Sequence, residues 1–163
     1  MGGRVSGLYG IADCSAAPHR SERDVGLALL AAGVCALQLR MKGADLDRIR
    51  AVVASLLPAC RAAGVPLLVN DHLDVAAEFA GVGVHLGQDD GDPAEARRRL
   101  GPDVLIGWST HDLADVERAA ALPIDYLGFG PVFSAAGKHL AANDRRSPMS
   151  PRGLTALAQA CAR

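Results

Sequence analysis

The stretch Leu67–Pro93, LLVNDHLDVAAEFAGVGVHLGQDDGDP, contains two short apolar runs that are each followed by carboxylates. Asn70 and Asp71 follow the first run, and Gln88–Asp90 follow the second. A short amphipathic segment separates the runs, so the pattern predicts a strand, a helix and a second strand. If these strands are parallel neighbours in one sheet, their polar ends meet at the same edge.

The same alternation extends along the whole chain. Apolar runs predict six strands, and segments of helical periodicity predict a helix after each of them. The predicted strands are Leu8–Ala12, Ala36–Arg40, Pro66–Val69, Gly83–Leu86, Val104–Trp108 and Tyr126–Phe129. The first predicted helix begins after an N-cap at Ser21 and ends near Gly33. The other predicted helices are Leu46–Ala63, Leu73–Ala80, Pro93–Leu100, Asp112–Ala121 and Gly153–Cys161.

This order predicts an α/β fold with one parallel sheet. A doubly wound sheet and a barrel both fit the alternation, but polar residues follow all six strands, as they do at the catalytic end of a (β/α)8 barrel. We therefore expect a TIM-type barrel that is incomplete, with about six βα units, and a single domain over residues 1–163 that lacks the last two units. Such a sheet keeps two open edges, so self-association or marginal stability is expected.

Composition limits the possible function. The chain has 163 residues, 50% of them hydrophobic, and a formal net charge of -1, which argues against non-specific nucleic-acid binding. No apolar run reaches the roughly 20 residues of a membrane helix, and the first residues lack a signal-peptide core. Four widely spaced cysteines predict reduced thiols. These features predict a cytoplasmic protein.

The second strand runs into QLRMK, in which alternation directs Gln38, Arg40 and Lys42 to one side. This pattern fits a solvated strand end and, equally, a cationic patch that faces an anionic substrate. In the second interpretation the planar guanidinium of Arg40 grips phosphoryl oxygens, and Lys42 adds a point charge.

Asp71 and Asp90 follow consecutive strands and are therefore candidates for a shared divalent ion. Mg²⁺ usually binds one or two carboxylates and takes its remaining ligands from phosphates and water. Taken alone, Asp71 is better explained as a helix N-cap, because it precedes the predicted third helix. The paired placement of the two carboxylates favours a metal site.

Four further positions are candidates for polar contacts. His85 lies inside an apolar strand, where a lone histidine is more often a hydrogen-bonded core residue than a catalyst. Ser109 comes at the end of the fifth predicted strand and is expected to face the barrel mouth. Because no Gly-x-Ser-x-Gly elbow surrounds it, it is expected to hydrogen-bond substrate rather than to act as a nucleophile. His111 either does the same or caps the fifth helix. Lys138 follows the Gly-rich turn at Gly128–Pro131, which lacks the strand–GxGxxG–helix pattern of dinucleotide folds.

Five motifs in this order, QLRMK, LLVNDHLDVA, GVGVHLGQDD, LIGWSTHD and DYLGFGPVFSAAGK, resemble the thiamine phosphate synthase family. The likeness covers nearly the whole chain, and its most specific part is ND-x-x-D followed by GVHLGQ-x-D. The superfamily also includes thiazole tautomerases, which share the fold and catalyse different chemistry.

The resemblance implies a transferase of thiamine biosynthesis. In that family a Mg²⁺-bound pyrimidine diphosphate loses pyrophosphate, and the nitrogen of a thiazole phosphate attacks the resulting carbocation. Carried over by position, the resemblance implies that Asp71 and Asp90 hold Mg²⁺. It also implies that Gln38, Arg40, Lys42 and Asn70 contact the pyrimidine diphosphate, Ser109 the pyrimidine and Lys138 the departing pyrophosphate, with Arg40, Ser109 and Lys138 as catalytic candidates.

The chain departs from the family pattern in two places. The family usually has Thr-x-Thr-Lys after strand six, where this chain has Ala135-Ala136-Gly137-Lys138, so two hydroxyl donors to phosphate are missing. The chain also stops after the sixth helix, before the strands whose loops form the standard phosphate site of a barrel, and weak thiazole phosphate binding is expected. The polar segment 139–152 is expected to be a mobile loop, or to order on a partner chain.

Two other functions remain open at this point. One is a tautomerase-like isomerase in which an acid–base residue such as His111 replaces the metal chemistry, although the presence of both metal carboxylates favours the transferase. The other is a degenerate barrel that binds a phosphorylated ligand or a partner without turnover.

Overall fold

The computed structural model contains one sheet of six parallel strands, arranged in the order in which they occur along the chain. The structure describes residues 5–16, 19–133 and 153–162. An α-helix connects each pair of consecutive strands, and the sheet curls into a half-barrel of TIM type, which confirms the predicted fold class. The strands are β1 (Tyr9–Ala12), β2 (Ala36–Leu39), β3 (Leu67–Asn70), β4 (Gly83–Leu86), β5 (Ile106–Thr110) and β6 (Tyr126–Phe129).

Local sequence signals account for the helices of the described residues. Ser21 caps the first helix by accepting a hydrogen bond from the backbone N–H of Asp24 at 3.1 Å, and Asp45 caps the second in the same way. Gly64 ends the second helix with φ of 65°, in the left-handed region that glycine adopts most readily. The helices are α1 (Glu22–Ala31), α2 (Leu46–Ala63), α3 (Leu73–Ala77), α4 (Pro93–Leu100), α5 (Leu113–Ala119) and α6 (Gly153–Cys161).

The prediction for the fifth strand was wrong by two residues at each end. Strand β5 begins at Ile106 rather than Val104 and continues through Ser109 to Thr110. Polar side chains suggested that the strand had ended, but the backbone of this segment remains in register with β6, where Thr110 lies opposite Phe129. The hydroxyl of Thr110 also donates to the carbonyl of Gly128 at 3.0 Å, so a polar residue is satisfied within the sheet.

Two helix caps that the sequence offered as alternatives do not form. Asp71 is not the N-cap of α3, because that position is occupied by His72, whose side chain makes no capping hydrogen bond. His111 is not the cap of α5, because Asp112 accepts the capping hydrogen bond from Asp115 at 2.9 Å. The helix α3 ends at Ala77, three residues before its predicted end.

The outer face of the sheet forms the hydrophobic core. Alternate strand residues such as Leu37, Leu39, Leu67 and Val69 are almost completely buried and belong to one cluster with helix residues such as Ile49. Burial of each such side chain stabilises the fold by about 1.5–3 kcal/mol. This packing holds the helices on the outside and leaves the inner face for polar groups.

The inner face of the sheet carries the remaining alternate side chains, and its curvature brings the two ends of the sheet together. Tyr9 of β1 and Tyr126 of β6 meet with their hydroxyl oxygens 2.7 Å apart and their ring centroids 5.6 Å apart. These residues are 117 positions apart in sequence. The contact therefore depends on the curl of the whole sheet.

Within the described residues, β1 and β6 each pair with a single neighbouring strand. Apolar side chains at these edges remain exposed: Leu8 is 60% exposed and Leu127 is 37% exposed. Unpaired parallel edges flanked by apolar side chains favour association with other chains.

We expect the 163-residue polypeptide to self-associate in solution through these edges. Leu8→Lys and Leu127→Lys should each raise the dissociation constant by roughly tenfold, because a buried leucine is worth about 1.5–3 kcal/mol. Light scattering over a concentration series measures the effect. Leu46→Lys is the matched control, since Leu46 is also exposed but lies at the start of α2. A wild-type polypeptide that stays monomeric at every concentration would contradict the prediction.

Candidate active site

The carboxylate of Asp71 lies at the end of β3 in an unusual backbone conformation. Its N–H donates to the carbonyl of His85 on β4 at 2.9 Å, so the parallel ladder continues past the strand end. Asp71 has φ of 66°, the one positive value among the described non-glycine residues. Such a conformation costs on the order of 1–3 kcal/mol and is concentrated at functional sites. The fold therefore holds this side chain in place at a cost in local stability.

Asp90 lies in the loop after β4, and its side chain turns back toward the strand end. Its Oδ2 accepts a hydrogen bond from the N–H of Gly87 at 3.0 Å. A Cβ atom at position 87 would overlap that carboxylate oxygen, so glycine is required for this approach. The loop geometry thus brings Asp90 to the same edge of the sheet as Asp71.

The two carboxylates repel each other electrostatically. Burial, and then the charge of Asp90 and a hydrogen bond to it, raise the pKa of Asp71 above its usual value. The positive charges of Lys42 and His72 partly offset this rise.

A cleft of about 270 Å³ adjoins the two carboxylates. The residues that line it are Leu46, Asp71, His72, Leu73, Asp74, Asp90 and Arg99.

A divalent cation would relieve the repulsion between the two carboxylates. No group of three or more His, Cys, Asp or Glu side chains suited to a metal ion occurs in the described part of the chain. Two carboxylates are nevertheless the usual protein contribution to a magnesium site that also binds phosphate groups. The chemistry of the pair fits Mg²⁺ on this ground.

Two cationic side chains follow β2: Arg40, which is ion-paired, and Lys42, which is exposed. Arg40 forms an ion pair with Asp13, which follows β1, and both side chains are largely shielded from solvent. Burial alone would raise the pKa of Asp13, but hydrogen bonds within the Asp13–Ser15 turn and the pairing with Arg40 outweigh it and lower the pKa. Lys42 is exposed and contributes positive charge at Asp71.

A chain of hydrogen bonds crosses the inner face of the sheet and joins five side chains, which we call the concave relay. The amide Nε2 of Gln38 donates to the hydroxyl of Tyr9 at 3.2 Å, and Tyr9 contacts the hydroxyl of Tyr126. The Tyr126 hydroxyl lies 2.9 Å from His85 Nδ1. His85 Nε2 lies 2.9 Å from Ser109 Oγ. His85 is therefore a hydrogen-bonded residue inside the strand, as predicted.

Burial keeps the titratable members of the relay uncharged. It lowers the pKa of His85 to about 4, against a small opposing effect of Asp90. Burial raises the pKa of Tyr126, and the neighbouring Tyr9 raises it further. The pKa of Tyr9 is also raised by burial. At neutral pH the relay therefore consists of two phenols and a neutral imidazole.

A second polar cluster connects the loops that follow β4 and β5. Asp115 of α5 is only 4% exposed and accepts hydrogen bonds from the backbone of His111 at 2.7 Å and from the side chain of Gln88. It also pairs with Arg118. Burial would raise the pKa of Asp115, but these hydrogen bonds and Arg118 lower it. The cluster fixes the loop that carries Asp90 against the neighbouring loop.

The structure brings most of the predicted site residues to one end of the sheet, but in different environments. Asp71, Asp90 and Lys42 converge, and half-buried Asn70 directly precedes Asp71. Gln38 and Ser109 instead belong to the concave relay. Lys138, the Ala135–Lys138 segment and the predicted loop 139–152 lie outside the described residues.

Sequence reasoning missed Tyr9, Tyr126 and Asp115. A signal existed for the tyrosines: they are the two tyrosines of the chain, and each opens a strand. No comparable signal marks Asp115, which has the position of an ordinary first-turn acidic residue in α5.

The buried, neutral state of His85 should make stability depend on pH. Its folded-state pKa of about 4 lies below the usual value of 6.5, so the unfolded chain binds more protons between these values and the free energy of unfolding rises with pH through that window. This contribution is complete above about pH 6.5. Urea unfolding from pH 4.5 to 7 should show a shallower slope in His85→Asn than in the parent protein.

Ser109→Ala is the control for this prediction. It removes a partner of His85 but keeps the imidazole, and the slope should persist because burial is the main cause of the lowered pKa. Equal slopes for His85→Asn and the parent protein would show that His85 does not titrate on unfolding.

Comparisons with known proteins identify the family. The family model for thiamine monophosphate synthase matches residues 8–162. The chain is 40% identical over 152 residues to a thiamine-phosphate synthase of Albidiferax ferrireducens, covering 93% of this chain and 66% of that protein. It is 43% identical over 140 residues to a thiamine-phosphate synthase of Chromobacterium violaceum, covering 85% of this chain and 67% of that protein.

A solved structure supports the same relationship. The thiamine phosphate pyrophosphorylase of Pyrococcus furiosus superposes with a TM-score of 0.74 at 26% identity, covering 94% of this chain and 68% of that one. The chain spans about two thirds of the length of these relatives. None of the described helices combines the length and the apolar character needed to cross a membrane. Because the family model matches almost all of the sequence, the chain belongs to the thiamine monophosphate synthase family.

Proposed function

We propose that this chain provides the catalytic end of a thiamine phosphate synthase, a transferase that joins a pyrimidine to a thiazole phosphate. In the proposed reaction the C–O bond between the pyrimidine methylene and its diphosphate breaks, and the electron pair leaves with pyrophosphate. The lone pair of the thiazole nitrogen then forms the new C–N bond. The substrates are small phosphorylated molecules.

The convergence of Asp71, Asp90 and Lys42 at one edge of the sheet carries this proposal. A diphosphate leaving group bears several negative charges, and its departure is favoured by fixed positive charge. The carboxylate pair fits a Mg²⁺ ion, which would neutralise part of that charge when bound. Lys42, which already acts electrostatically on Asp71, adds a positive charge beside the same position.

The proposed roles of Arg40, Asn70 and Ser109 take account of where these residues lie, whereas that of Lys138, which is outside the described residues, rests on the sequence motif alone. Arg40 is held by Asp13 through one nitrogen, and the rest of its guanidinium retains donors for a phosphoryl group. Asn70 pairs in register with the relay residue His85 and directly precedes Asp71, and it is proposed to contact the pyrimidine diphosphate. Ser109 is proposed to contact the pyrimidine, and Lys138 the pyrophosphate. Gln38 acts on the pyrimidine site through the concave relay.

We also propose that the protein is cytoplasmic and that it forms homo-oligomers. All four cysteines are free thiols, which is typical of proteins in a reducing compartment. The exposed apolar side chains beside β1 and β6 support self-association.

The first prediction of this proposal concerns the metal ligands. Asp71→Asn and Asp90→Asn should each abolish Mg²⁺-dependent binding of the pyrimidine diphosphate. Loss of one charge-assisted contact costs about 1.5–3 kcal/mol, which lowers affinity by about tenfold or more. Calorimetric titration with Mg²⁺, and again with a chelator, measures the metal-dependent part.

Asp103→Asn is the matched control, because Asp103 is an exposed carboxylate that precedes β5 at the opposite end of the strands. Its replacement should leave affinity unchanged. Equal affinity with and without Mg²⁺ in the parent protein would exclude the metal-dependent transferase. Turnover of a thiazole substrate without metal, lost in His111→Ala, would favour the isomerase instead.

The second prediction concerns Arg40. Arg40→Ala should weaken binding of the diphosphate by about tenfold or more, because one charge-assisted contact of a guanidinium is worth about 1.5–3 kcal/mol. The melting temperature should change little, since a partly exposed ion pair such as Arg40–Asp13 contributes about 0–1 kcal/mol. Arg23→Ala, which removes an exposed arginine of α1, is the control. A large fall in melting temperature with unchanged affinity would assign Arg40 a structural role.

A further inference from the structure

We propose that the concave relay has a single hydrogen-bond polarity, which fixes His85 as its Nε2–H tautomer and leaves the Ser109 hydroxyl as a donor toward the bound ligand. Tyr126 is then a positioning residue that acts through His85. The ligand is recognised by an acceptor atom opposite Ser109. The consequence for the ligand rests on the proposed function, whereas the polarity of the relay does not.

The polarity is set at Gln38. Its Nε2 group contacts the hydroxyl oxygen of Tyr9 at 3.2 Å, and an amide NH₂ can only donate. The Tyr9 oxygen therefore accepts, and its own hydrogen is available for one further bond. Tyr126 is the other hydrogen-bond partner of that oxygen in the described residues. Tyr9 consequently donates to Tyr126.

The hydroxyl of Tyr126 must then donate to His85. It has one hydrogen and already accepts from Tyr9, and its second neighbour is His85 Nδ1 at 2.9 Å. If His85 donated through Nδ1–H instead, the Tyr126 oxygen would accept from both Tyr9 and His85, and the Tyr126 hydrogen would have no acceptor among the described residues. An unsatisfied shielded hydroxyl costs about 1–3 kcal/mol. The uniform direction gives a partner to the hydrogens of Tyr9 and Tyr126 and to both ring nitrogens of His85.

The far end of the relay determines what Ser109 can offer. With Nδ1 accepting, the hydrogen of neutral His85 is on Nε2 and is donated to Ser109 Oγ at 2.9 Å. The side chain of Ser109 makes no other hydrogen bond within the part of the chain that the structure describes, and it is partly exposed. Its hydroxyl hydrogen therefore points away from His85 and is available to an acceptor.

Gly107 makes this arrangement possible. It lies on β5 between His85 and Tyr126 in the register of the sheet. A Cβ atom there would overlap the ring end of Tyr126 and would crowd His85 Nδ1. Gly128, on β6, also faces His85, but a Cβ at that position would lie at an ordinary contact distance of 3.5 Å. The two glycines therefore form a matched pair for testing the relay.

Under the proposed function, the acceptor opposite Ser109 is a ring nitrogen of the pyrimidine. An exocyclic amino group is a donor and would face the Ser109 hydrogen unfavourably. The relay thus selects ligands with an in-plane acceptor nitrogen at that position over ligands with a C–H or N–H group there.

The decisive experiment is nitrogen NMR of the full chain labelled with ¹⁵N-histidine, with His85 assigned through His85→Gln. At neutral pH the long-range ¹H–¹⁵N correlation should show His85 protonated at Nε2, with Nδ1 shifted as an acceptor. Gln38→Glu places a carboxylate that can only accept beside Tyr9, so the relay should reverse and His85 should change to the Nδ1–H tautomer. An unchanged tautomer in Gln38→Glu would overturn the proposal.

Further variants separate the relay from a general electrostatic effect. Adding Tyr9→Phe to Gln38→Glu breaks the connection while keeping the new charge, and should restore the Nε2–H tautomer. Tyr126→Phe and Gly107→Ala should both move the Nδ1 resonance to the position of an unbonded nitrogen, whereas Gly128→Ala should not. If Gln38→Glu does not fold, the Tyr126→Phe result decides, and an unchanged Nδ1 resonance in that variant overturns the proposal.

A binding experiment tests the consequence for the ligand. Ser109→Ala should weaken binding of the pyrimidine diphosphate by roughly three- to tenfold. Two analogues each have C–H in place of one of the two ring nitrogens. The analogue that lacks the nitrogen opposite Ser109 should bind to the parent protein and to Ser109→Ala with equal affinity. Equal weakening with both analogues would overturn the donor role of Ser109. If the parent protein binds no pyrimidine diphosphate, the proposed function fails and the NMR result still decides the relay.

Discussion

The architecture of the inner face depends on one contact, in which Tyr126 passes over the bare backbone of Gly107 to reach both Tyr9 and His85. Because Gly107 has no side chain, the phenol ring can lie close to β5 and still contact β4. The contact with Tyr9 joins the first and last strands of the sheet. A larger residue at position 107 would push the ring away and remove this contact between β1 and β6, which are not paired with each other in the described residues.

The structure separates two kinds of electrostatic environment along the strands. The concave relay consists of neutral hydrogen-bonding groups, because burial suppresses the ionised forms of His85, Tyr9 and Tyr126. The strand ends beyond it carry acidic and basic side chains, among them Asp90 and Lys42, that are exposed to solvent. Under the proposed function, this difference suits a substrate with a neutral aromatic ring at one end and a diphosphate at the other.

Local signals in the sequence predicted those elements whose ends are set by neighbouring residues. The bounds of α2 follow from the capping oxygen of Asp45 and from Gly64, which can adopt a left-handed conformation. The bounds of β5 depend instead on β6, because the backbone of Ser109 and Thr110 pairs with that strand whatever their side chains. The polarity of these side chains was therefore a misleading signal for the end of the strand.

For the candidate site, the sequence by itself determined which carboxylates meet, since parallel strands of similar length bring Asp71 and Asp90 to one edge of the sheet. Tertiary structure alone decided that Asp71 adopts a left-handed backbone rather than capping α3, that Asp13 holds Arg40, and that the two tyrosines touch. The physical reason is distance along the chain. Periodicity and capping act over a few residues, whereas the Arg40–Asp13 pair needs β1 beside β2 and the tyrosine contact needs all six strands curled around a common axis.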